Sequence, residues 1–80
     1  MGKPVERCVV TFPSTTGAMA MEQACQEANV PGRLIPVPRS ITAGCGMCWA
    51  APMEARNQVE DLLIREKLDT DGIYTILFPR

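Results

Sequence analysis

The side chains of this sequence best suited to covalent chemistry are its four cysteines, and Cys45-Gly46-Met47-Cys48 sets two of them close together. There is no histidine, so the usual Cys-His nucleophile pair and the imidazole base are excluded. Asp and Glu fall mainly on expected solvated helix faces and turns, with no apolar setting to raise a pKa for acid-base work. A thiol that acts by exchange, or by carrying a sulfur atom, needs no base. It needs a thiolate, access, and an electrophilic sulfur on a partner. Gly44 and Gly46 flank Cys45 and leave its sulfur sterically open; the plainer reading is a small-residue turn that simply needs glycine.

Cys48 follows three positions later. In a strand, residues three apart point to opposite faces, so the two sulfurs meet only if the backbone turns through residues 44–46. A CxxC pair reads as a dithiol redox couple or as half of a metal site. Thioredoxin-like centres place the first cysteine at a helix start, whereas a helix opens here only near Pro52. Zinc generally takes four ligands, so a metal would need Cys45 and Cys48 from each of two chains. The five methionines are scattered and form no ligand set. No cofactor is expected.

Eighty residues suit a single domain, 1–80. A hydrophobic fraction of 46% with mean hydropathy of +0.01 describes an ordinary globular chain. Nothing approaches the roughly 18 apolar residues in a row that span a bilayer. The opening Met1-Gly2-Lys3-Pro4-Val5-Glu6 has no apolar signal core. A cytoplasmic chain with reduced thiols and no membrane contact is therefore expected. Eight basic residues face nine acidic ones without forming a cluster, which lacks the positive footprint of a nucleic-acid binder.

Residues 7–12, RCVVTF, form a β-rich run closed by Pro13-Ser14. Ser14, Thr15 and Thr16 offer cap hydroxyls to a helix whose stripe is Ala18, Met21, Ala24, Cys25 and Ala28. Asn29-Val30-Pro31-Gly32 stops it. Residues 33–37 read as a second strand that Pro36 confines to a sheet edge. Residues 39–44 form a polar turn and 45–51 a third strand. Pro52 suits the first turn of a second helix, with Ala55, Val59, Leu62 and Leu63 on one stripe, running to about Lys67. A turn over 69–72 precedes a fourth strand at 73–78. Cys25 and Cys8 sit among apolar neighbours as core residues. Trp49 and Tyr74 read as packing residues whose polar atoms reach an edge, with lining a pocket at Cys45 the alternative for Trp49.

The order β-α-β-β-α-β makes an α+β, ferredoxin-like two-layer sandwich with sheet order 4-1-3-2. Should residues 45–51 be irregular, a three-stranded β-α-β-α-β sheet is the fallback. Helices cover one sheet face only, while the first and last strands carry apolar residues on both. A homodimer through the open face is the resulting expectation. The first and second strands run parallel, so the turns at 13–17, 39–44 and 69–72 share one end of the sheet. The start of the first helix then lies beside Cys45, where its free N–H groups, the hydroxyls of Ser14, Thr15 and Thr16, and Arg39 favour a thiolate. Asp69 and Asp71 oppose that if near.

Phe12, Ser14, Thr15, Ala18 and Glu22, then Ile35-Pro36-Val37-Pro38-Arg39 and Cys45-Gly46, give the chain a wider likeness. It resembles the selenium/sulfur carrier protein-like domains of small bacterial proteins over nearly its whole length. The resemblance implies carriage of selenium or sulfur on Cys45, as a persulfide or selenopersulfide, between donor and acceptor proteins. Related domains are fused to sulfurtransferase-like proteins of selenium metabolism. Cys48 is an addition to the family's Cys-Gly pattern, and a second thiol there could resolve a persulfide by forming a Cys45–Cys48 disulfide.

Overall fold

The computed structural model describes residues 4–38 and 46–78. In chain order these form β1 (Val5–Thr11), α1 (Thr15–Ala28), β2 (Arg33–Pro36), β3 (Met47–Pro52), a 3-10 turn (Met53–Ala55), α2 (Arg56–Arg65) and β4 (Gly72–Phe78). The described strands make one sheet of order β2-β3-β1-β4, with every neighbouring pair antiparallel. This is the expected 4-1-3-2 order of a ferredoxin-like sandwich, and it leaves β1 and β2 parallel on either side of β3.

Period-two alternation explains the centre of the sheet. Cys8 and Val10 join Phe12, Trp49 and Ala51 in the core beneath the helices, while Val9 packs with Cys48 and Ala50 on the other face. α1 begins where the extended Ser14 lends its hydroxyl to the Gly17 N–H at 3.4 Å. Its Ala18, Met21 and Cys25 are buried at helical spacing, joined in the core by Val59, Leu62 and Leu63 of α2. Ala28, at the end of the expected stripe, is exposed. Asn29 closes the helix in the left-handed region at φ 58°, its N–H on the carbonyls of Cys25 and Gln26.

The junction of β3 with α2 differs from expectation. Pro52 ends β3 opposite Arg7 and does not open the helix. β2 stops pairing at Ala50, opposite Arg33, so Pro52 faces no β2 partner and its missing N–H breaks no bond on that side. α2 starts at Arg56, after the 3-10 turn, and ends at Arg65. Pro36 sits on the edge strand, where it was expected. Among the described residues no helix is long and apolar enough to cross a membrane.

Candidate functional site

The strand registers gather five segment ends at one end of the sheet. Thr11, closing β1, lies opposite Cys48 of β3 and Gly72 of β4. The Asp71 N–H donates to the Thr11 carbonyl at 2.8 Å, and the Thr11 hydroxyl to the Gly72 carbonyl at 3.4 Å. Val37, just past β2, donates its N–H to the Gly46 carbonyl at 3.1 Å. α1 starts at the same end, and a Cβ built on Gly17 would stand 3.3 Å from the Asp69 carbonyl.

Cys45 and Arg39 lie outside the described residues. The residue that follows Cys45 is described: Gly46 is exposed, holds φ +77°, and among the described residues beyond its chain neighbours nothing lies within 4 Å of where a Cβ would project. Of the expected anion-binding residues, Ser14 already uses its hydroxyl as the α1 cap, while Thr15 and Thr16 are exposed in the first turn. That turn contains no acidic residue of its own, but the segment carrying Asp69 and Asp71 reaches the same end of the sheet, where their charges oppose a thiolate.

Cys48 is fully buried, with Val9 and Ala50 beside it and Ile35 and Val37 packed against the group on the helix-free face. Cys8 and Cys25 are buried under the helices, as core residues should be. Burial pushes the Cys25 thiol up to about 11. It also raises Cys8, where the nearby Arg56 charge pulls the other way and Glu60 adds to the rise. Trp49 departs from expectation: its Nε1 is buried without a hydrogen-bond partner among the described residues, not at an edge. The indole instead packs on the Gly32 backbone, where a Cβ would come within 2.5 Å of Nε1. No cluster of three or more metal-ligating side chains occurs among the described residues.

The linear sequence shows no basic cluster, yet pairing creates one. Arg7 of β1 and Arg33 of β2 line a common cavity across β3. Each shares period-two parity with an apolar residue of that face, Arg7 with Val9 and Arg33 with Ile35. That was the one signal the sequence carried.

A family model described as Putative Se/S carrier protein-like matches residues 7–75. Comparison with curated proteins and with solved structures finds no match.

Proposed function

Since the chain belongs to the Se/S carrier protein-like family, we propose that it holds sulfur or selenium on Cys45 and hands it to a partner protein. The observation that carries this reading is the exposure of Gly46, where an added Cβ would meet no described residue within 4 Å, at the sheet end where α1 also begins. A cysteine joined to such a residue can be reached by another protein's persulfide without disturbing the core. In the transfer, the Cys45 thiolate attacks the terminal sulfur of a donor persulfide. A new S–S bond forms on Cys45, the donor's own S–S bond breaks, and the donor leaves as a thiolate, with no net oxidation. Delivery to an acceptor thiolate repeats the exchange. Arg39 and the first-turn amides and hydroxyls of residues 14–16 stabilise the anionic sulfur in this scheme.

Cys48 is fully buried and so withheld from a partner protein's thiol, whereas carriage asks only for an open Cys45. Intact mass after incubation with a persulfide donor tests the choice: carriage adds about 32 Da on Cys45, whereas an internal disulfide removes about 2 Da. Cys45→Ser abolishes the gain. A gain that survives Cys45→Ser, or no gain at all, defeats the proposal.

A further inference from the structure

At the opposite end of the sheet from Gly46, about 13 to 20 Å along β3 at the usual strand rise, the helix-free face contains a cavity of about 400 Å³. Its form follows from residue size. β3 supplies a low floor, Ala50 and Pro52, between taller side chains: Arg7 of β1 and Phe78 of β4 beyond it on one side, Arg33 and Ile35 of β2 on the other. Arg7 and Arg33 stand on strands separated by two inter-strand steps, roughly 10 Å, within reach of one ligand between two long side chains.

Neither guanidinium has a carboxylate partner among the described residues, whose ion pairs are Arg56–Glu60 and Arg65–Glu66. Arg7 is half-buried and rests over the Phe78 ring, 6.0 Å from its centroid. That contact fixes its position but leaves its charge unneutralised. A second copy packed on this face would add two more cations. Its own open-face strand residues, such as Val9, Thr11, Cys48 and Gly72, bring no carboxylate to meet them.

We infer that this cavity binds a small organic anion: a carboxylate, sulfonate or phosphate joined to a ring-sized apolar body. The guanidiniums of Arg7 and Arg33 take the anionic group, and Ile35, Ala50, Pro52 and Phe78 receive the body. The volume falls in the usual range for small-molecule sites, roughly 300–1,000 Å³, and paired arginines suit planar or tetrahedral oxyanions. The site is separate from the Cys45 end and does not depend on the carrier reading.

Naphthalene-2-sulfonate serves as the probe, followed by amide NMR shifts of the full chain, with neutral 2-naphthol and inorganic phosphate as matched controls. The expected result is saturable binding that shifts amides around Arg33 and Ala50 and weakens as salt rises. 2-Naphthol binds at least about tenfold more weakly, because it lacks the charge-assisted bonds. Arg33→Gln, an exposed edge-strand change that leaves the fold intact by circular dichroism, weakens the sulfonate about tenfold or more; Arg7→Gln does the same. Equal affinity for sulfonate and naphthol, unchanged affinity in Arg33→Gln, or no saturable shift overturns the inference. So does binding confined to an acidic peptide, which would make the face a protein-docking surface.

Discussion

Selective thiol labelling offers a direct measure of how differently the fold treats its cysteines. Cys8, Cys25 and Cys48 are each 0% exposed. For Cys25 a pKa of about 11 leaves about one thiol in a thousand ionised at pH 8. An open cysteine of pKa ~8.5 is about one-quarter ionised there, a ratio of roughly 200. Higher intrinsic nucleophilicity of the more basic thiolate returns about tenfold, so ionisation alone slows Cys25 some 20-fold. Access adds more. If the reagent meets the sulfur only after an opening costing ~5 kcal/mol, the reactive fraction falls to about 10⁻⁴, and the opened thiol then reacts with its ordinary pKa. Cys25 should therefore react at least ~20-fold, and up to ~10⁴-fold, more slowly than an open cysteine. Iodoacetamide at pH 8 with peptide mass mapping should mark Cys45 first in native protein and all cysteines equally in urea. Native modification of Cys25 within threefold of the Cys45 rate would refute the reasoning.

The same burial makes stability fall in alkali. Cys25 is neutral when folded and has its pKa raised from 9.0 to about 11, so its contribution is whole below pH 9. It is lost as pH climbs towards 11, because the unfolded chain releases that proton first. Urea midpoints measured from pH 8 to 11 should drop less steeply in Cys25→Ala than in the parent, though from a lower start; parallel profiles would contradict this. Two glycines should respond very differently to alanine. At Gly32, with φ +141°, a Cβ meets Trp49 Nε1 at 2.5 Å and the Ala50 carbonyl at 2.7 Å, so Gly32→Ala should cost about 2–4 kcal/mol. At Gly46 no described residue stands within 4 Å of the added Cβ, so backbone strain decides the cost, about 1–2 kcal/mol. Fluorescence of Trp49, the sole tryptophan, reports both transitions, and equal losses would show that contact with the indole does not decide the difference.

What could be read from the sequence, and what could not, follows from the range of the forces involved. The stripe Ala18, Met21 and Cys25 is a local pattern with a 3.6-residue period, and it folded as the period dictates. Pro36 lacks an N–H whatever surrounds it, so its place on an edge strand was fixed locally too. Pro52 obeyed the same chemistry through a distant fact: β2 has ended by that point in the ladder, and strand pairing with Arg7 outweighs the preference of Pro for a first helical turn. The burial of Cys48 and the meeting of Arg7 with Arg33 are further from local control. Both depend on register, since Ile35 covers Cys48 only because those residues lie opposite each other, and Arg33 flanks the cavity only because it lies opposite Ala50. A one-residue slip of β2 would send every one of its side chains to the other face. In the reactive-cysteine reading, access needed only the glycines beside Cys45, a property of the chain itself, while the thiolate already leaned on the topology that sets the start of α1 at that end. A cationic cavity assembled across three strands is a property of their pairing.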